Sequence, residues 1–210
     1  MIVNGYLTET QAQDYIGRQY PDSTGILDDI VSAVSRQIDR HCGRHFYQDG
    51  TTGTPVARYF ETDDPYELDL GMFNDLVSVT SLKVDTDGDG TYETTLTNYV
   101  LCPKGAATRA PHPEPYTEIE LLNGTVFPLY ASSGREYLIE VTGVWGWPTV
   151  PVEVTQAARI LAAEMAKVQD APLGLVGSPE FGMSRVPGYM PRHARELLAP
   201  LVHPSSWGIA

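Results

Sequence analysis

The sequence predicts an α+β protein: a helical core, built from N-terminal and C-terminal helices, with an inserted and mainly antiparallel β lobe. Two observations predict it. Apolar residues recur at helical spacing near both ends of the 210-residue chain. Between them the period changes to alternation, in runs rich in β-branched and aromatic residues. Residues 1–54 then form the N-terminal part of the core, 55–147 the lobe and 148–170 a core helix. Residues 171–210 form an extended C-terminal arm with a short helix.

Each element has its own signal. "TETQ" at Thr8–Gln11 is a capping box, in which Thr8 accepts from the third helical N–H and Gln11 reaches back. It opens a short helix to about Arg18, broken by "YPDSTG". Ile26, Leu27, Ile30, Val31, Val34 and Ile38 make the apolar stripe of a longer helix. Asp28 and Asp29 suit its positive first turn, and Gly43 suits a left-handed stop. In the lobe, "VARYFET", "YELDLG", "LVSVTSLKVD", "YTEIELL" and "REYLIEVTGVWGW" read as strands. The proline-rich "CPKGAATRAPHPEPY" reads as a loop. After Pro151 come Val154, Ala157, Ala158, Leu161, Met165 and Val168, a stripe whose alanines permit close helix contact. A last short helix is expected over 191–201.

Composition narrows the function. No apolar run approaches the ~20 residues that span a bilayer, and "MIVNGYLTET" has neither the basic start nor the apolar stretch of a signal peptide. Cys42 and Cys102 lie in unlike surroundings without metal-ligand spacing, which favours a reducing compartment. Fourteen basic residues stand against 27 acidic ones, a net charge of −13. The imbalance is uneven: residues 56–147 hold five Lys/Arg and fifteen Asp/Glu, whereas 171–210 hold three Arg and two Glu. So acidic a surface repels phosphate, which argues against a grip on nucleic acid and suits a wall that DNA slides past.

The motifs that suggest chemistry have plainer readings. "DTDGDGTYE" at residues 85–93 places Asp85, Asp87, Asp89 and Gly90 as a calcium loop would. Its twelfth position, however, is Leu96, which cannot ligate, and strands rather than helices flank it. A hairpin turn is expected, with an adventitious weak cation site as the alternative. His41, Cys42 and His45 in "HCGRH" lack a fourth zinc ligand at suitable spacing. Asp63 and Asp64 read as a polar turn before Pro65, and "NGT" at 123–125 as a hairpin turn. No nucleophile elbow or phosphate loop occurs. Trp145 and Trp147 in "GVWGWP" could stack on a sugar or a base; filling the joint between lobe and core is the expected role. No catalytic residue and no cofactor are expected.

The order of these pieces resembles one family. A capped first helix, a long helix ending in "IDRHCGRHF", a β insertion, and then "VTGVWGWPTVPVEVTQAARILAAEMAK" look like the head-to-tail connector (adaptor, head completion) proteins of long-tailed double-stranded DNA bacteriophages. "APLG" at 171–174 and "ARELLAPLV" at 194–202 are similar to actinobacterial-phage members, and the resemblance covers essentially the whole chain.

The resemblance implies a structural virion protein of the neck, present in the host cytoplasm during assembly, with no membrane partner. It implies a twelve-fold homo-oligomeric ring beneath the portal protein. Such a ring extends the DNA channel without binding DNA specifically, and offers a platform to a tail-side connector or stopper. Portal contacts are expected from the arm, at Leu175, Phe181, Met183, Arg185, Tyr189, Met190, Arg192, Arg195 and Trp207, unless that segment wraps its own subunit. Ring contacts are expected from Ile30, Val34, Ile38, Ala158, Ala162 and Met165. The alternative function is a calcium- or carbohydrate-binding β module with helical flanks.

Overall fold

The computed structural model describes residues 4–17, 25–50, 52–109, 113–130, 134, 136–167 and 190–204, and the backbone alone of 168–170, 175–178 and 182–185. The chain divides into two compact units. One is helical and joins described residues of 1–43 to those from Val150 onward. The other is the β unit, Arg44–Thr149. The fold is α+β, as the change of period predicts.

The helical unit contains α1 (Glu9–Ile16), α2 (Ile26–Cys42), α3 (Val152–Asp170) and α4 (Arg192–Leu198), the last continued by a 3-10 turn at Ala199–Leu201. The capping box forms: Gln11 N donates to Thr8 Oγ1 at 3.2 Å, and Thr8 N donates to Gln11 Oε1 at 3.0 Å. Gly17 and Gly43 end the first two helices in left-handed conformation, as carbonyls near a helix end require. α3 packs against each of the other helices. Its buried stripe is Val154, Ala157, Ala158, Leu161, Ala162 and Ala166, and such small side chains bring helix axes close.

The residues expected at ring contacts lie largely in the interior of this chain. Ile30, Val34, Ile38, Ala158 and Ala162 are all at most 1% exposed within their own unit. Helical periodicity reports that a face is covered, not by what; here the covering partner is the same chain. Met165 is half-buried.

Within the stretch expected as an arm, residues 190–204 belong to the helical unit, where Met190, Ala194, Leu198 and His203 are buried. His203 N donates to the Cys42 carbonyl at 2.7 Å, satisfying an orphan carbonyl at the end of α2. Before it lies a two-stranded hairpin that composition did not foretell, β8 (Leu175–Ser178) and β9 (Gly182–Arg185).

The β unit holds two antiparallel sheets. One has the order β1 (Val56–Phe60), β7 (Ile139–Trp145), β3 (Leu76–Val84), β4 (Thr94–Leu96). The other has the order β2 (Glu67–Asp69), β6 (Glu118–Leu121), β5 (Tyr99–Cys102). Inward residues of both sheets fill one core, among them Phe60, Leu68, Leu82, Ile119, Ile139 and Trp145. "DTDGDGTYE" is the β3–β4 hairpin, with Val84 paired to Thr94. "NGT" does turn, with Asn123 and Gly124 at positive φ, but no strand follows it directly, so it is not a hairpin. β5 ends at Cys102, where the proline-rich loop was expected to begin.

The ends of this unit are stitched together. Gln48 bridges Gly146, and Asp49 N donates to the Trp145 carbonyl at 3.1 Å. Gly146 N donates to the Asp75 carbonyl at 2.7 Å. A Cβ on Gly146 would fall on the Tyr47 carbonyl, and its φ of +101° disfavours any side chain. A Cβ on Gly143 of β7 would likewise clash, meeting the Ser78 carbonyl oxygen at 2.4 Å and the Leu76 side chain at 2.8 Å. The glycines of "GVWGWP" therefore mark backbone contact. Gly146→Ala should lower stability by roughly 3 kcal/mol or prevent folding, combining overpacking with positive φ. Gly124→Ala, at φ +76° with open space around it, should cost only about 1 kcal/mol, and urea titration of the two variants checks the difference.

Candidate interaction surface

The described residues of the β unit carry an ionic cluster, an acidic sheet face and an aromatic surface. Beside the stitched ends sits a buried ionic cluster. Asp75 is 2% exposed; its Oδ2 lies 3.5 Å from Arg44 Nε and accepts from Trp147 Nε1 at 3.1 Å. Its Oδ1 has no hydrogen-bond partner among the described residues. Burial pushes the Asp75 carboxyl up to about 6, against the opposing pull of Arg44, the Trp147 bond and Arg58. Trp147 also packs on Phe46, with ring centroids 5.0 Å apart, and Arg44 lies over its ring. Trp145 donates its indole N–H to the Val56 carbonyl at 2.8 Å, under the Arg58 guanidinium. Arg58 in turn pairs with Asp49 and bonds Asn74 Oδ1 at 2.6 Å. Both tryptophans are thus core and clamp residues, too buried to stack on a ligand.

The carboxylates of the calcium-like loop are already engaged. Asp85 Oδ1 accepts from Gly88 N at 2.6 Å and its Oδ2 from Gly90 N at 2.8 Å. Asp87 and Asp89 accept from backbone N–H groups two residues on. Asp85, Asp87 and Asp89 place oxygens within 4.8 Å of one another, yet the one buried carboxylate serves as the staple of the turn.

Two exposed surfaces remain. On the outer face of the three-stranded sheet, Glu67 pairs directly with Glu120 and Asp69 with Glu118. Like charges opposite one another destabilise a sheet, and Lys104 offsets only part of this, at 3.1 Å from Glu120. Burial, then Glu67, Asp69 and Glu120, raise the Glu118 carboxyl above its ordinary value.

The second surface is aromatic. Among the described residues, eight of the eleven large apolar side chains left exposed lie on the β unit. Tyr59 of β1 and Tyr92 have ring centroids 5.2 Å apart, and Tyr92 Oη donates to the Tyr137 carbonyl at 2.7 Å. Alongside runs a groove of about 590 Å³ lined by the consecutive residues 57–61 with Asn74 and Tyr137. Residues in a strand alternate between faces, so a cleft touching five in a row follows the strand's edge. Sequence patterning missed this surface because single exposed tyrosines in strands look alike whether or not they gather.

The residues expected at the portal fall differently. Leu175, Met183 and Arg185 are on the hairpin backbone, and Met190 is buried. Arg192 is exposed and pairs with Glu196 at 2.7 Å. Arg195 is exposed and reaches the Met190 carbonyl at 3.3 Å. Phe181, Tyr189 and Trp207 lie outside the described residues.

These features define a class: an α+β protein with a small-residue helical core, an acidic two-sheet β unit and no assembled reaction centre among its described residues. Particular solved structures share that fold. A chain from the neck of an empty gene transfer agent particle, computed with C6 symmetry, matches with a TM-score of 0.57 and 20% identity, over 96% of this chain and 91% of that one. A chain from the virion of a native gene transfer agent particle matches with a TM-score of 0.51 and 19% identity, over 91% and 96%. No family model and no curated protein sequence matches the chain. No helix among the described residues is long and apolar enough to cross a membrane.

Two outcomes follow from these charges. Because the Asp75 carboxyl is raised from 3.8 to about 6, the folded state binds more protons than the unfolded chain between those values. Its contribution to stability therefore falls as pH rises through that window, by roughly 3 kcal/mol in all. Urea titrations should show Asp75→Asn removing much of the gain that the native protein makes between pH 7 and pH 5. At pH 7 Glu118→Gln should stabilise by about 0.5 kcal/mol, and the gain should shrink in 1 M salt.

Proposed function

We propose that the chain is a structural neck protein of a phage-like particle, acting by shape and mutual contact. The observation that carries this reading is the fold likeness along 96% of the chain to a chain of a particle neck. In this reading copies close into a ring beneath a portal protein, and a tail-side connector or stopper docks below. The C6 symmetry of the neighbouring neck suits six copies or a multiple of six, twelve included. The protein then resides in the virion neck and passes through the host cytoplasm during assembly.

The charge supports the same role. DNA must pass through a neck without being held, and binding phosphate would require released counterions and basic side chains. The outer sheet face instead carries Glu67, Asp69, Glu118 and Glu120 in register. We assign that face to the DNA path. A portal contact from exposed Arg192 on α4 fits the reading, since guanidinium groups bind carboxylates at interface rims.

Mass photometry and electron microscopy of the protein mixed with its portal test the proposal. Rings whose mass is six or twelve times the 23.1 kDa subunit are expected, with no retention of duplex DNA at physiological salt. A lone subunit at every concentration, with and without the portal, would refute it.

A further inference from the structure

We propose that the pocket beside Tyr137, where the pairing of β1 with β7 ends, binds the guanidinium of an arginine carried by a partner protein. The proposal goes beyond the ring reading and does not depend on it, since every residue of the site lies within the β unit.

The pocket sits just past a strand pair. Phe60 and Ile139 are the last residues that β1 and β7 match. Beyond them Glu61, Glu136 and Tyr137 line a cavity of about 170 Å³, together with Pro128, Leu129 and Tyr130. Its walls are anchored by the fold. Phe127 N donates to the Pro65 carbonyl at 2.8 Å, and Thr62 Oγ1 donates to the Glu67 carbonyl at 2.7 Å. The Leu138 carbonyl accepts from Asp85 N at 2.9 Å. Sites for small molecules and cofactors run to roughly 300–1,000 Å³; this one has room for a single side chain.

The lining selects the charge. Glu61 and Glu136 have no ion-pair partner among the described residues, whereas Glu114, Glu120 and Glu140 of the same unit each pair with a basic side chain. Carboxylates accept hydrogen bonds and donate none, so they match a group that only donates, and a guanidinium is a planar fork of N–H donors. A sugar, whose hydroxyl oxygens also call for donors, is served less well. The tyrosines favour the same charge, because the face of an aromatic ring attracts a cation. Arginine suits such rings better than lysine, being planar and more weakly hydrated. The net charge of −13 draws basic partners from a distance.

Tyr137 is held there at a cost. Its φ of +59° is a left-handed conformation that suits glycine or asparagine and strains a bulky residue. Tyr92 Oη pins its carbonyl at 2.7 Å, while the side chain is left 52% exposed. A half-exposed ring gains little from the core, so packing gives no reason for tyrosine at a strained position; a ligand against the ring does. Two adjoining concavities, of about 510 and 590 Å³, both include Tyr59 and Tyr137 and leave room for the residues that flank the arginine.

Saturation-transfer NMR on the full-length protein tests the site, with N-acetyl-arginine amide as probe; the signal is read on the probe, so the protein's assembly state does not matter. Transfer should be saturable in the range of about 1 mM or above, as for so small a ligand, and N-acetyl-citrulline amide, similar in shape but uncharged, should show little. Tyr137→Asn, which keeps a residue at ease with left-handed backbone, should stay folded by circular dichroism and weaken the probe about fivefold. Glu61→Gln with Glu136→Gln should weaken it about tenfold. Glu67→Gln with Glu120→Gln removes the same charge from the outer sheet face and should change nothing. Equal loss in that control would reduce the binding to net charge and overturn the pocket. So would transfer to maltose in place of the arginine probe, which would mark a carbohydrate site. Absence of transfer to the native protein would overturn it too, and transfer appearing only on Arg135→Ala would make the chain's own arginine the occupant. None of these outcomes decides whether rings form.

Discussion

The β unit depends on a backbone contact: the chain leaving β7 presses against the chain that entered the unit a hundred residues earlier. Gly146 lies on the Tyr47 carbonyl, and its N–H reaches the Asp75 carbonyl at 2.7 Å. Joining the two ends closes a long loop, whose entropy cost grows only slowly with length. Once the ends are held together, an insertion of this size can carry two sheets and one core of its own. The ionic cluster around Asp75 sits at that closure. A buried carboxylate facing a buried guanidinium adds little net stability, since desolvation offsets the attraction. Here burial prevails, as the raised Asp75 carboxyl indicates. The cluster is better understood as fixing which segments meet than as adding stability.

The two units use their apolar residues differently. In the helical unit, α3 buries a stripe of alanines against the other helices, and most large side chains are consumed internally. In the β unit, tyrosines and aliphatic side chains remain on the surface beside an open strand edge. An assembling protein must keep some apolar area uncovered, and large exposed patches mark interaction sites. Among the described residues, most of the large apolar side chains left exposed lie on the β unit.

Local signals in the sequence carried over well into structure. The capping box at Thr8 and Gln11, the left-handed stop at Gly43 and the Asp-Gly turn after Val84 are each decided within a few residues. What could not be read is set by distant partners. The stripe Ile30–Val34–Ile38 is written the same way whether its cover is α3 or a neighbouring subunit. Gly143 and Gly146 look like ordinary turn glycines until β3 and Tyr47 are brought against them. The segment after Pro172 is rich in glycine and proline, which hid both the β8–β9 hairpin and the return of Met190–His203 to the core. The gathering of Tyr59, Tyr92 and Tyr137 depends on three separate segments and leaves no local trace.

The acidic sheet face bears most directly on function, because stability alone gives no reason for it. Antiparallel partners Glu67 and Glu120, or Asp69 and Glu118, could be opposite charges without disturbing the buried Leu68 and Ile119 on the other face. Alternating pleat makes the two faces independent in that sense. Repulsion on one face is thus a separate property, added to a sheet whose core is already specified. A mobile polyanion meeting such a face loses the chance to release counterions, and with it the main source of nonspecific affinity. For a protein read as the wall of a DNA passage, a like-charged face reconciles close proximity with free sliding. Its cost, a few tenths of a kcal/mol per facing pair, is small beside what the shared core contributes.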